Sequence, residues 1–255
     1  MLLRRFVGNL KKQEWAAIVV ELVIVIGGVF FGIQAANWNA DRLEQEEVRL
    51  VSERLIADLQ KDLSSREVLV RYHEAVFESA ERTVQWLNAE SVNDPSAFVI
   101  DAYRSTEYVY RPPTRAAFDE IISSGRLGLI PADARQAGFI DYFRYDNSLA
   151  MREAVRASPY RHRVRRLITY DIQVAIRARC SDLLNERYEI IGFNENCDLT
   201  IPTGRLEYVA NALRSDPELL GDLRLHFSIL NAAMPNFRGE IVNLKATIKA
   251  LEAAR

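Results

Sequence analysis

"AAIVVELVIVIGGVFFGIQAA", residues 16–36, contains a single ionisable residue, Glu21, and a single amide, Gln34. At the rise of an α-helix these positions cover roughly 31 Å, the thickness of a bilayer's hydrocarbon core. Trp15 stands directly before the stretch and Trp38 just after it, where amphipathic indoles mark the two headgroup layers. The expected organisation is a basic leader over residues 1–14, a transmembrane helix over 15–38 and an extramembrane domain over 39–255. A cleaved export signal is the competing reading. Its apolar core runs about 7–15 residues and ends in small residues at the cleavage site; here the run is longer, and Gln34 interrupts the best AxA-like position.

Orientation follows from charge. Arg4, Arg5, Lys11 and Lys12 precede the span, whereas Arg42 alone follows Trp38 closely. The bias toward basic residues on the cytoplasmic side places the N-terminus inside and the bulk of the chain outside, in a bacterial cell in the periplasm, tethered to the inner membrane. The leader also sets Leu3, Phe6, Val7 and Leu10 on one helical face, suited to lying along the inner leaflet. Within the span, Gly28, Gly32 and Ala36 recur every four residues, and Glu21 shares nearly the same face. Small residues at that spacing let two helices approach closely, which makes a homo-oligomer through the span an expected partner besides the lipid bilayer. The bland alternative has Glu21 reaching back to the cytoplasmic headgroups. At the outer lip, Gln34, Asn37 and Asn39 join Trp15 and Trp38 as membrane-interface residues.

Past Asn39 the helical pattern continues through Leu43, Val48, Val51, Leu55, Leu59 and Leu63, and no Gly or Pro intervenes from Ala40 to Val92. The spacing predicts a long helix to about residue 92, bent if anywhere near Ser64 and Ser65, then about five further helices. Start signals recur at Asp94-Pro95, Thr114, Ser158-Pro159 and Asp216-Pro217, where a side-chain oxygen precedes helical sequence. LGLI at 127–130 reads as a short extended link, the stretch from Tyr160 as a helix to about Tyr188, and GFNENCDLTIPTG at 192–204 as a polar loop. Pro235, followed by Gly239, is expected to kink or split the last helix. Strand-like alternation is confined to an ambiguous piece around 99–111. The fold class is therefore all-α, one transmembrane helix continuing into a helical bundle.

Two stretches carry a resemblance. GVFFGIQAANWN at the end of the span and FDEIISSGRLGLIPADARQAGFIDYF at 118–143 resemble a family of uncharacterised bacterial single-span membrane proteins, a domain of unknown function. The matching positions are Gln34, Asn37, Trp38 and Asn39, then Ser124, Gly125, Leu127, Leu129 and Ile130, so the resemblance covers roughly the first 145 residues. It implies an anchored helical domain and brings no activity, cofactor or site residue with it.

The remaining residues argue against specific chemistries. A net charge of −2 gives no field for nucleic acid. His73, His162 and His226 form no HxxxH or HExxH pattern, and two cysteines without CxxC spacing suit neither zinc nor thiol redox work. No GxSxG, SxxK, Walker or dinucleotide glycine motif is present, so no catalytic residue, metal or cofactor is assigned. The densest charge, YRHRVRRLITY, offers Arg161, Arg165 and Arg166 as candidates for an anionic ligand, against the plainer reading of a salt-bridged helix face. Cys180 and Cys197 are disulfide candidates in an oxidising periplasm, with free buried thiols the alternative. The leading expectation is a non-enzymatic, membrane-anchored protein whose periplasmic helical domain serves assembly, scaffolding or sensing with an unidentified protein partner. An anion-binding sensory domain using residues 161–166 comes second, and an enzyme whose site is assembled from distant side chains third.

Overall fold

The computed structural model describes residues 14–186, 189–194 and 197–254. The expected basic leader lies almost wholly outside them. The chain divides into two compact units at Val51/Ser52, and helix α1, Glu14–Asn88, supplies all of the described part of the first and begins the second.

In the first unit the apolar side chains of α1 from Ile18 to Leu43 are exposed. The large apolar residues from Ile18 to Ile33 are exposed around the helix, Phe31 at 72%, and the most apolar window is wholly unburied. Trp15 and Trp38 are likewise exposed, at 64% and 70%. This helix is long and apolar enough to cross a membrane.

The second unit is a helical bundle, as the periodicity predicts. Leu55, Leu59, Leu69, Tyr72, Val76 and Ala80 of α1 are buried at helical spacings, each large side chain contributing about 1.5–3 kcal/mol by leaving water. After α1 come α2 (Pro95–Arg104), α3 (Ala116–Ser123), a 3₁₀ turn (Leu127–Leu129), α4 (Ala132–Ala134), a wide turn (Arg135–Phe139) and α5 (Ile140–Arg144). Then follow α6 (Asn147–Ala157), α7 (Pro159–Leu167) and α8 (Tyr170–Arg179). A hairpin of β1 (Asp182–Leu184) and β2 (Ile190–Phe193) precedes α9 (Thr203–Ser215) and α10 (Leu219–Ala253). The strands are antiparallel, pairing Asp182 with Phe193 and Leu183 with Gly192, and a bulge then shifts Leu184 opposite Ile190. The central core draws on α1, α2, α6, α7, α8, α9 and α10, including Phe98, Val155, Val164, Ile172, Val209 and Phe237. A separate aromatic nest of Phe118, Phe139 and Phe143 joins α3 to the 135–144 segment.

Several expectations need correction. The first helix takes the continuous course past Ser64 and Ser65 and stops at Asn88, but the rest divides into more, shorter helices than about five. The 127–130 link is a 3₁₀ turn rather than extended. The helix expected from Tyr160 to Tyr188 breaks at the extended Ile168 and gives way to β1 after Cys180. The ambiguous 99–111 piece is helix up to Arg104, while the strands fall at 182–193, where alternation is weak. Pro235 does not split α10, which runs unbroken from Leu219 to Ala253; neighbours along a long, well-packed helix hold it through one missing N–H.

Capping signals also divide. Asp94 accepts from Ala97 N at 2.9 Å, an ordinary N-cap before Pro95. Ser158 and Thr114 make no such cap; their hydroxyls are drawn into the interior, to His226 and Asp62 respectively.

Candidate functional site

Helix α1 places Asp62 and Arg66 one turn apart on a face that is nearly sealed from solvent. Arg66 Nε lies 2.6 Å from Glu240 Oε2 of α10, with the two side chains 1% and 7% exposed. Arg66 also donates to the Arg111 carbonyl at 2.5 Å and sits over the Tyr142 ring. Asn147 donates to the other Glu240 oxygen at 2.7 Å. Asp62 accepts from Thr114 N and Oγ1 and from the Tyr142 hydroxyl, at 2.7–3.1 Å. Six side chains from α1, α5, α6, α10 and the 111–114 link thus form one buried polar network. Burial pushes the Glu240 carboxyl above the usual range, with Arg66 and Asn147 opposing it.

Two clefts flank this network. The larger, about 770 Å³, lies by Lys61, Ser65, Val68, Pro112 and Thr114, with Asp62 at its wall. The smaller, about 260 Å³, opens beside Tyr142, Asn147 and Glu240 and is bounded by α10 through Pro235, Asn236, Gly239 and Asn243.

A second buried cluster surrounds His226. Its Nδ1 is 2.9 Å from Ser158 Oγ and its Nε2 is 2.8 Å from the Ser105 carbonyl. Burial keeps the ring neutral, so Nε2–H donates to the carbonyl and Nδ1 accepts from the serine. A serine beside a histidine invites a nucleophile reading, but Ser158 and His226 are buried at 1% and 0%, out of reach of any substrate. The pair joins α7 to α10 instead. His73 is buried too, with Nδ1 donating to Leu69 O and Nε2 without a partner. Desolvation lowers both imidazoles to about 4, partly offset by their backbone hydrogen bonds.

The arginine cluster proves to be internal. Arg161 donates to the Thr106 carbonyl and stacks over Tyr108. Arg165 donates to Thr106 Oγ1 at 2.7 Å and Glu107 at 2.5 Å, with its guanidinium over the Tyr103 ring. These two are tied to the turn after α2 rather than presented to an anion, and Arg166 alone of the three candidates is exposed. Between them, Arg163 reaches Asp216, Glu218 and Asp222. Cys180 and Cys197 form a disulfide with Cα atoms 4.9 Å apart, closing a loop worth on the order of 3 kcal/mol.

In the apolar part of α1, Glu21, Gly28, Gly32 and Ala36 are exposed, and a methyl group added at either glycine would meet nothing within 4 Å. Gln34, Asn37 and Asn39 are exposed as well. Among the described residues no group of three or more His, Cys, Asp or Glu is placed to hold a metal ion. The buried Arg66–Glu240 pair escaped sequence reading because an Arg and a Glu far apart in sequence look like any other surface charges.

No family model, no curated protein and no solved structure matches the chain.

Removal of one charge from the buried pair strands the other. Arg66→Ala should cost about 3–5 kcal/mol, while Arg66→Met with Glu240→Leu should recover most of it; urea denaturation of the full chain in detergent reads both. The histidines set an acid limit. An imidazole whose folded value lies below its unfolded one stabilises the fold above pH 6.5, and that stability is lost as pH falls toward 4. Each should subtract about 2 kcal/mol between pH 7 and 4.5, and His73→Leu should flatten the measured dependence by one histidine's share.

Proposed function

We propose that this chain is a single-pass protein of the bacterial inner membrane that presents its helical bundle to the periplasm as an assembly, scaffolding or sensing component, without catalysis of its own. The observation that carries the reading is the run of exposed apolar side chains around α1 from Ile18 to Ile33. Leaving so large an apolar surface in water is prohibitive, and lipid covers it at no such cost. The basic residues before the span supply the orientation. The resemblance through the Gln34–Asn39 motif belongs to the same proposal, as an anchored architecture and nothing more.

The bundle is consistent with a binding and not a catalytic role. Its serine–histidine contact is sealed, and Arg161 and Arg165 are spent on protein acceptors. Within the membrane, Gly28 and Gly32 expose a backbone strip to which a second copy of α1 can dock, with Ala36 extending it toward the outer lip.

Protease added to spheroplasts should digest the bundle, and inverted vesicles should protect it. Release of the chain by alkaline carbonate, or the opposite protection pattern, overturns the anchor or the orientation. Gly28→Ile combined with Gly32→Ile should weaken cross-linked oligomers in native membranes by about tenfold or more; unchanged cross-linking removes the association through the span.

A further inference from the structure

Helix α10 carries the two poorest helix-forming residues four positions apart, Pro235 and Gly239. In a helix interior they cost about 3 and 1 kcal/mol relative to alanine. Both line the same cleft of about 260 Å³ against the segment joining α5 to α6. Gly239 does not make room for any packed neighbour, since a methyl group added there would meet nothing within 4 Å. What the missing side chain leaves open is the cleft itself. Residues that weaken an element and gather at a cavity mark a place where stability has been given up for a site.

The walls define the ligand's chemistry. Asn236 and Asn243 lie on the same α10 face as Gly239, and Asn147 and Tyr145 face them across the cleft. No lysine, arginine or histidine lines it. The Glu240 charge is already answered by Arg66 and Asn147, and Asp141 stands 3.7 Å from Arg144. An anion therefore finds no counter-charge. The Asn236 and Asn243 amides each carry donors and an acceptor on one plane, the pairing that adjacent hydroxyl groups require, and Asn147, which gives one N–H to Glu240, adds its oxygen. Tyr145 is 57% exposed at the rim, a flat apolar ring with a polar end, able to cover the C–H face of a sugar ring.

We propose that the cleft between α10 and the α5–α6 segment binds a neutral saccharide through one pyranose ring, with Asn236, Asn243 and Asn147 meeting hydroxyls and Tyr145 stacking on the ring. The site stands on the cleft alone and holds for either orientation in the membrane, so the vesicle experiment and this one fail separately.

The test uses the full chain in a polyoxyethylene detergent, which carries no sugar headgroup. Glucose, galactose and N-acetylglucosamine are each titrated and followed by saturation-transfer NMR and calorimetry. At least one should saturate with a Kd below about 10 mM. Gly239→Leu fills the cleft while improving helix propensity, so its thermal midpoint should equal or exceed that of the parent as its affinity falls by about tenfold or more. Asn236→Ala, on an exposed side chain, should weaken the same sugar and decides the matter if the leucine variant does not fold. Absence of saturation by all three sugars, or an unchanged affinity in a folded variant, overturns the proposal.

Discussion

The contact between Arg66 and Glu240 joins the first helix of the bundle to the last, and Asp62, Thr114, Tyr142 and Asn147 are arranged around it. Two charges withdrawn from water gain little net free energy over a well-packed apolar pair, yet either one left alone is very costly. Such a pair therefore acts less as glue than as a registry mark: α1 and α10 slide past one another only by breaking it. Asp62, one turn before Arg66, extends the mark by gathering Thr114 and Tyr142. Asn147 does the same from α6 through Glu240. A bundle built from many short helices has numerous near-equivalent apolar packings, and a directional network selects among them.

How far the sequence discloses this depends on the range of the interaction. The apolar run from Ala16 to Ala36 and the stripe through Leu55 and Leu59 are local patterns, and the structure reproduces them as a helix exposed from Ile18 onward and a buried helix. Asp94 is a local signal too, and it caps α2 as expected. Ser158 looks identical in sequence, but His226 lies within reach of its hydroxyl in space and the cap is forgone. Thr114 is lost to Asp62 in the same way. Pro235 illustrates the opposite failure, in which a strong local breaker is overridden by the packing of the residues around it. The β-hairpin went unread because Leu183, Leu184 and Ile191 lack the alternation of a half-buried strand; all three are exposed or only partly covered.

The arginines show most clearly what one-dimensional reading misses. Their clustering at 161–166 suggests an anion site because sequence displays charge density without displaying acceptors. In space Arg163 and Arg165 meet carboxylates, and several other arginines reach carbonyl oxygens where helices end. Arg161 donates to Thr106 O beyond α2, Arg214 to Ala89 O beyond α1, Arg115 to Phe143 O in the last turn of α5, and Arg104 to Cys180 O beyond α8. The final carbonyls of a helix lack intrahelical donors and carry the negative end of its dipole. A chain that breaks its bundle into many helices creates many such ends, and glycine caps are scarce here. A planar, permanently charged group with several donors satisfies them at long reach.

The same device holds the hairpin. Two strands alone are marginal in water, and this pair is gripped from several sides. Arg104 donates to Asn194 O just past β2, Arg111 to Ile190 O within it, and Tyr72 to the Asp182 carboxylate at the start of β1. The Cys180–Cys197 bond closes the segment covalently. Arg111 also offers its own carbonyl to Arg66, so the hairpin and the buried ion pair are linked through a single residue. Displacing the hairpin would therefore disturb the register of α1 against α10, and the one non-helical element of the described bundle is coupled to its most specific contact.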